Sequence, residues 1–230
     1  MKKNNACCDA KSCFMCQNCI EEWLPAILAN KTNLKFKKGE VIFKEGDPVE
    51  GIYFVFSGVV KVYKQWGKEK ELIIRFAKDG AVFGHRGIGQ NSHYPISASA
   101  MEPSVVCYVD LKFFESTLKV NPNLTLQLVN FFASELRKSE QRMRDLAHMP
   151  VKGRVADVLI KLKEQFGLDE EGFINIRLSR QDLASFAGAT YETVFRMINE
   201  LVNEQLISVS GKNIAISNPE ALSMLVQSAN

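Results

Sequence analysis

The chain has 230 residues, 46% of them hydrophobic and 24% charged, which is the composition of a soluble globular protein with a buried core. Its net charge of +3 is small, so bulk electrostatics indicates no particular polyanionic partner. No apolar run approaches membrane-spanning length, and the amino terminus lacks the apolar region of a secretion signal. We therefore expect a cytoplasmic protein without a membrane partner.

The chain begins with a polar, cysteine-rich arm, residues 1–19. This arm holds five of the six cysteines, Cys7, Cys8, Cys13, Cys16 and Cys19. Stable disulfides are rare in the cytosol, so a cluster of thiols there indicates metal binding or redox chemistry.

Residues 20–120 have the pattern of a small β domain. A short helix is predicted over residues 20–30, started or interrupted by Pro25, and short strand-like runs then alternate with glycines from Leu34 to about Val109. The clearest runs are residues 41–43, 51–56, 59–63 and 72–76. Many short strands with regular glycine punctuation predict a barrel or jelly roll.

Residues 121–149 contain one long helical pattern, from Asn123 to His148. Its spacings alternate between three and four residues along one stripe, formed by Val129, Phe132, Leu136, Ser139, Met143 and Leu146. Such a stripe predicts the seam of a two-stranded coiled coil and therefore a homodimer. The alternative is a helix that lies on its own β domain.

Residues 150–230 contain two short helices joined by a tight turn. Ser179 is a good N-cap, and Asp182 completes the start of a capping box. Gly188 supplies the turn, and Thr190 caps a second helix. The pattern predicts a helix-turn-helix, or else an ordinary helical hairpin inside a domain.

The second helix has two different faces. At 100° per residue, one face carries Val194, Ile198 and Leu201, with Met197 beside them, and the opposite face carries Glu192, Phe195, Arg196 and Asn199. Two short strands around residues 210–213 follow, and a hairpin directly after a helix-turn-helix is a wing. We therefore predict a winged helix-turn-helix whose second helix enters the major groove of DNA.

Several segments together resemble the Crp/Fnr family of bacterial transcription regulators, from about Cys16 onward. The similar segments are residues 38–47, 52–63, 178–184 and 192–196. The resemblance implies an α+β chain with an amino-terminal double-stranded β-helix (jelly-roll, cyclic-nucleotide-binding-like) sensor domain, a dimerisation helix and a carboxy-terminal winged helix-turn-helix. It also implies a near-palindromic DNA operator, a second copy of the chain and RNA polymerase as partners. No nucleophile–base pair, P-loop or HExxH motif indicates an enzyme.

The family's recognition helix carries an E-x-x-x-R core, which Glu192 and Arg196 match. A carboxylate can accept a hydrogen bond from cytosine N4, a guanidinium can bind guanine O6 and N7, and Phe195 can touch a thymine methyl. The resemblance further implies phosphate contacts, which set the register of the helix; they are Arg180, Gln181, Thr190 and Lys212. From residue 150 onward there are 8 Lys and Arg and 10 Asp and Glu, so the module has no net positive charge. Attraction to DNA must therefore come from a few cations placed at the interface.

The resemblance also bears on the effector. In the cyclic-nucleotide branch a glutamate follows the glycine of one turn, but here that turn reads Gly84-His85-Arg86. Ile96 stands where the phosphate-binding arginine is expected, which would leave a buried phosphate without its partner. We therefore do not expect cyclic AMP to bind.

The Fnr branch carries a [4Fe–4S] cluster on amino-terminal cysteines and one later cysteine. Four thiolates are available here, Cys13, Cys16, Cys19 and Cys107, and Cys8 is a further candidate. The spacing departs from the family's trio, because Pro25 stands where the third cysteine is expected. Alternatives are zinc, thiol redox chemistry, a lost cluster or another effector, and a redox protein with a merely structural helical end is the rival class. A cluster would make DNA binding sensitive to oxygen or nitric oxide.

Overall fold

The computed structural model describes residues 12–67, 70–89 and 92–227. Contacts divide the chain into two compact units, Met1–Glu135 and Leu136–Asn230, and the division falls within one long helix. None of the described helices is both long and apolar enough to cross a membrane. The predicted boundaries at residues 19, 120 and 149 are not tested by this division and stay predictions.

The described part of the first unit consists mainly of strands. The strands are β1 Lys31–Phe36, β2 Val41–Phe43, β3 Gly51–Ser57, β4 Val60–Trp66, β5 Lys70–Ala77, β6 Val82–Phe83, β7 Ser97–Ala100 and β8 Ser104–Asp110. The helices are α1 Leu24–Asn30, α2 Leu111–Val120 and the start of α3 Pro122–His148. Short 3-10 turns lie at Cys16–Asn18, Glu21–Trp23 and His85–Gly87.

The strands form two antiparallel four-stranded sheets, in the orders β1-β8-β3-β6 and β2-β7-β4-β5. Apolar side chains from both sheets, among them Phe43, Val62 and Val106, fill the space between them. The architecture is the predicted double-stranded β-helix, and these two sheets are called the β-roll below. The four strand-like runs of the sequence correspond to β2, β3, β4 and β5. That prediction is confirmed.

Strand β3 is buried on both faces, which explains its continuous apolar sequence. Tyr53 and Val55 face the core between the sheets. Ile52 and Phe54 face the opposite way, into a second apolar cluster that α1, α2, α3 and the arm cover. A strand with one exposed face would instead alternate apolar and polar residues.

The described end of the arm packs directly on the β-roll at Gly80. The Phe14 amide donates to the Gly80 carbonyl at 3.1 Å. A Cβ atom at Gly80 would lie 1.9 Å from the Ser12 carbonyl oxygen, and the glycine has φ +75°. Only glycine combines this backbone angle with such a close approach of another chain segment.

Helix α2 did not stand out in the sequence, because it follows β8 without an intervening loop. Asp110, the last residue of β8, accepts from the amides of Lys112 and Phe113 and so ends the strand and caps the helix. The predicted short helix near residue 24 is present as α1, with Pro25 in its first turn, where the missing amide is tolerated.

The second unit contains the end of α3 and the predicted helical module. Its further elements are α4 Val151–Phe166, α5 Arg180–Ala187, α6 Tyr191–Asn203, β9 Ile207–Ser210, β10 Asn213–Ile216 and α7 Pro219–Gln227. Strands β9 and β10 pair as an antiparallel hairpin, which confirms the predicted wing. Helix α4 packs against α5, α6 and α7, so it forms the centre of this unit's core.

Candidate nucleic-acid interface

Helices α5 and α6 have the local structure that their sequence predicts. The Ser179 hydroxyl accepts from the Asp182 amide at 3.0 Å, and the Asp182 carboxylate accepts from the Ser179 amide at 3.3 Å, which completes a capping box. Gly188 ends α5 in the left-handed conformation, with φ 65°. The Thr190 hydroxyl caps α6 by accepting from the Thr193 amide at 3.3 Å.

Two arginines outside α5 and α6 hold the turn between them, and sequence reasoning missed both. Arg154 donates to the carbonyls of Met149 at 2.8 Å, Ala187 at 3.0 Å and Gly188 at 3.3 Å. Arg142 donates to the Phe186 carbonyl at 2.7 Å. These carbonyls lie at or next to helix ends, where the last carbonyls of a helix lack intrahelical donors, so the guanidinium groups supply donors at the turn that precedes α6.

Helix α6, the recognition helix, has one buried and one exposed face, as predicted. Val194, Ile198 and Leu201 are buried in the core of the unit. Glu192, Phe195, Arg196 and Asn199 are all exposed on the other side. Arg196 and Glu192 lie one turn apart, which is the separation needed to meet neighbouring base pairs in the major groove.

The residues predicted to contact phosphates occupy different environments. Gln181 and Lys212 are exposed, Gln181 at the start of α5 and Lys212 in the turn of the wing. Thr190 is also exposed, but its hydroxyl is engaged in the cap. Arg180 is partly buried, and its Nη2 donates to the Gly211 carbonyl at 3.1 Å, so it joins α5 to the wing.

The surroundings of Arg180 limit what it can do for DNA. Its Nη1 atom is buried and has no hydrogen-bond partner. Burial lowers the pKa of Arg180, and the nearby Tyr191 phenol opposes that effect. A structural role for Arg180, in holding α5, the wing and Tyr191 together, therefore stands beside the predicted phosphate contact.

The interior of the β-roll is filled by aromatic side chains. Phe43 and Tyr94 stack with their ring centroids 3.9 Å apart, Tyr53 packs 5.3 Å from Phe83, and the Tyr94 hydroxyl donates to the Gly51 carbonyl at 2.7 Å. Ile96 is buried in the same core. The side chains of this core are apolar and aromatic and carry no counter-charge for a phosphate, and the expectation that cyclic AMP does not bind stays a prediction.

The four cysteines of the predicted iron–sulfur site border the same apolar cluster of side chains. Cys13, Cys16 and Cys107 are buried in the apolar cluster on the outer face of β3, and Cys19 packs against it. Burial and the neighbouring Cys13 raise the pKa of the Cys19 thiol to about 11, so a cation is needed to hold it as a thiolate. Cys7 and Cys8 lie outside the described residues.

The donor set has the number and chemistry of ligands that a [4Fe–4S] cluster takes. Among residues 12–67, 70–89 and 92–227, no three His, Cys, Asp or Glu side chains converge to hold one metal ion, as a tetrahedral zinc site requires. Each iron of a [4Fe–4S] cluster takes one thiolate, so its four ligands surround the cluster without converging on one ion. Four thiols in one apolar cluster match that requirement in number and chemistry.

A buried charge network lies where α3 meets the β-roll of the first unit. Glu135 is buried, and its carboxylate is 3.1 Å from Arg86 Nη2 and 3.7 Å from Arg75 Nε. His85 is fully buried beside Phe131 and Phe132, and neither ring nitrogen has a hydrogen-bond partner. Burial first, and then the charges of Arg75 and Arg86, lower the pKa of His85 to about 3.

A β-roll followed by a long helix and a winged helix-turn-helix defines a class of proteins. This class is the DNA-binding transcription regulators with an amino-terminal sensor domain. Residues 33–121 match the family model of the cyclic nucleotide-binding domain, and residues 153–225 match that of the Crp-like helix-turn-helix domain.

Proteins and structures of this class are similar to the chain over most of its length. The global nitrogen regulator of Synechocystis sp. is 31% identical over 82% of this chain and 85% of that relative. The fumarate and nitrate reduction regulatory protein of Escherichia coli is 28% identical over 82% of this chain and 76% of that relative. The structure of FixK2 from Bradyrhizobium japonicum is 28% identical, covers 85% of this chain and 96% of that one, and has a TM-score of 0.75. The chain belongs to the Crp/Fnr family of transcription regulators, and its fold is that of regulators and not of enzymes.

Proposed function

We propose that this chain is a homodimeric, sequence-specific regulator whose recognition helix reads the major groove of an operator. The observation that carries the proposal is the exposed face of α6, since Glu192, Phe195 and Arg196 lie outside the core that the opposite face of the helix completes. Gln181, Thr190, Lys212 and Arg180 would add the contacts to phosphates. Such a regulator acts in the cytoplasm, where it would meet DNA and RNA polymerase.

The second copy would pair along α3. Val129, Phe132, Leu136, Ser139 and Met143 are exposed and Leu146 is half-buried. Leu124 and Leu128, on an adjacent face of the same helix, pack on the β-roll of their own chain. The helix therefore covers its own domain with one face and keeps an apolar stripe for a partner, which combines the two sequence-based alternatives.

DNA binding tests the recognition face. We expect the protein to enrich specific near-palindromic duplexes from a randomised library and its affinity to fall with rising salt. Arg196→Ala should lower affinity for the enriched site at least about tenfold, whereas Arg177→Ala, at an exposed arginine outside the recognition helix, should leave it unchanged. Equal affinities of Arg196→Ala and the parent for that site would contradict the assignment.

We further propose that Cys13, Cys16, Cys19 and Cys107 hold a [4Fe–4S] cluster that controls DNA affinity. The group, when bound, would supply sensitivity to oxygen or nitric oxide. Ligands from two parts of the chain would let the cluster connect the arm to the β-roll. Cys107 lies on β8, between β1 and β3, while the other three thiols lie on the arm that docks at Gly80. Loss of the link between arm and β-roll would alter the surface on which α3 packs.

Metal analysis of protein purified without oxygen tests this part. We expect about four iron and four sulfide per chain, and a visible absorption band that Cys16→Ala removes and Cys7→Ala retains. Zinc in place of iron would support the alternative of a zinc site. Protein without any metal, but with thiols that oxidise reversibly, would support the thiol redox alternative.

A further inference from the structure

The recognition helix carries an aromatic pair on its exposed face. Tyr191 and Phe195 are one helical turn apart, and their rings stack with centroids 6.2 Å apart and planes 12° from parallel. Tyr191 is 43% exposed and Phe195 is 48% exposed. Two large rings therefore stand together in solvent beside Glu192 and Arg196, which form a parallel charged strip one residue further along the helix.

The fold itself does not account for this pair. The buried face of α6 is already complete with Val194, Ile198 and Leu201, so neither ring is needed to close the core. Stacked aromatic side chains in solvent leave apolar area that a partner can cover. A rigid ring also loses little conformational entropy when it is fixed in a complex.

The pair lies near the contact between α5 and the wing. Arg180 donates to the Gly211 carbonyl in the turn of the wing, and the Tyr191 phenol is near enough to oppose the lowering of the Arg180 pKa by burial. Tyr191 in turn supports Phe195 through the stack. The two rings are therefore already stacked in a structure without DNA.

The chemistry of the major groove selects what such a pair can contact. A phenyl ring has no hydrogen-bonding group, so it cannot satisfy a polar base edge without leaving that edge unpaired. The 5-methyl group of thymine is the one apolar feature that the bases present in this groove. It is therefore the group that an apolar surface beside a charged strip can recognise.

We propose that Tyr191 and Phe195 form a single apolar surface that reads the 5-methyl group of thymine next to the base pairs contacted by Glu192 and Arg196. Each half-site of the operator then requires a thymine at that position, and the requirement is for the methyl group, not for the hydrogen-bonding edge. The inference rests on the proposed function, since it needs α6 in the major groove.

Substitution of deoxyuridine for thymidine tests the inference, because uracil lacks only the methyl group. The probe is a duplex enriched from a randomised library by this protein, synthesised with deoxyuridine at one thymine at a time. At one thymine of each half-site we expect about a fourfold loss of affinity, the effect of removing one buried methyl. Phe195→Ala should bind the thymine and uracil duplexes equally, and Tyr191→Phe, which keeps the ring, should retain the difference.

The outcomes separate this inference from the function on which it rests. Asn199→Ala, at an exposed position on the same face of α6, is the control and should retain the thymine preference. Equal affinity of the parent for all thymine and uracil duplexes, or a preference that survives Phe195→Ala, would overturn the inference and leave the regulator intact. Failure to enrich any duplex would overturn the proposed function and this inference with it.

Discussion

Three carbonyl oxygens, those of Met149, Ala187 and Gly188, depend on the side chain of Arg154. Met149 directly follows α3 at the start of the short link to α4, and the other two carbonyls end α5 at the turn of the helix-turn-helix. A planar guanidinium with several fixed donors can reach all three at once, which an ammonium cannot do. One residue on α4 therefore sets the angle at which the recognition helix leaves the domain.

We predict that Arg154→Met lowers the free energy of unfolding by about 2 kcal/mol, since it removes charged hydrogen bonds from helix-terminal carbonyls. Chemical denaturation followed by circular dichroism measures this. DNA affinity should fall as well, although Arg154 makes no contact on the exposed face of α6. Arg177→Met, at an exposed arginine, is the control, and equal stability of the two variants would contradict the role given to Arg154.

His85 makes the first unit sensitive to acid. Its pKa is lowered to about 3 in the folded chain from an ordinary value of 6.5, by burial and by Arg75 and Arg86. Between these two pH values the unfolded chain binds a proton that the folded chain does not. The free energy of unfolding is therefore complete above pH 6.5 and falls as the pH falls toward 3.

Between neutral pH and about pH 5, we predict that the free energy of unfolding falls by about 2 kcal/mol less in His85→Leu than in the parent. Thermal unfolding across this range measures the difference between the two proteins. Leucine has a similar volume and suits the contact with Phe131 and Phe132, so the variant should fold. His93→Gln, at an exposed histidine, is the matched control, and a pH profile of His85→Leu parallel to that of the parent would rule the explanation out.

Among the elements, α5 and α6 were predictable and α2 was not. The capping box of Ser179 and Asp182, and the left-handed glycine at Gly188, act within four residues, so the sequence displays them directly. Helix α2 begins directly after Asp110, which is both the last residue of β8 and the cap of the helix, so no turn residue marks the change from strand to helix. Local signals thus predict elements most clearly where a turn separates them from the element before.

At this scale we predict that Ser179→Ala destabilises the second unit by about 1 kcal/mol, since the Asp182 amide loses its acceptor. Hydrogen exchange of the amides in α5 would measure the change locally. Ser179→Thr retains the acceptor and should restore most of the protection. If the alanine variant exchanges as slowly as the parent, the capping box does not stabilise α5.

For the whole molecule, the exposed apolar stripe on α3 is the feature that a single chain leaves unexplained. Leu136 and Met143 are each 60% exposed, two turns apart on the same stripe. A helix that keeps such a stripe uncovered would lose solubility, whereas a second copy would bury it by two-stranded packing. Dimerisation would also bring two recognition helices to a palindromic operator.

We predict that the parent sediments at twice 25.9 kDa and that Leu136→Glu is a monomer at micromolar concentration. Gln141→Glu adds the same charge at an exposed position about 140° around the helix, so it should remain dimeric. Analytical ultracentrifugation distinguishes these states. A dimeric Leu136→Glu would mean that the two chains pair through a surface other than this stripe.

The sequence by itself determined the class of protein, because the features that define it are local. Caps, the turn glycine, the two faces of α6, the apolar stripe on α3 and the hairpin of the wing all follow from the spacing of a few neighbouring residues. The candidate contacts Glu192, Phe195 and Arg196 could be selected for the same reason, since helical periodicity alone puts them on one face.

Only the tertiary structure decided how these parts are held and what surrounds them. Four features join residues that are far apart in the chain. They are the hydrogen bonds of the Arg154 guanidinium, the docking of the arm at Gly80, the burial of Glu135 between two arginines and the aromatic interior around Ile96. The Tyr191–Phe195 stack likewise depends on the rotamers of two side chains, and the Arg180–Gly211 hydrogen bond near it depends on how α5 packs on the wing. Contacts of this kind depend on which surfaces folding brings together, and no spacing within the sequence records them.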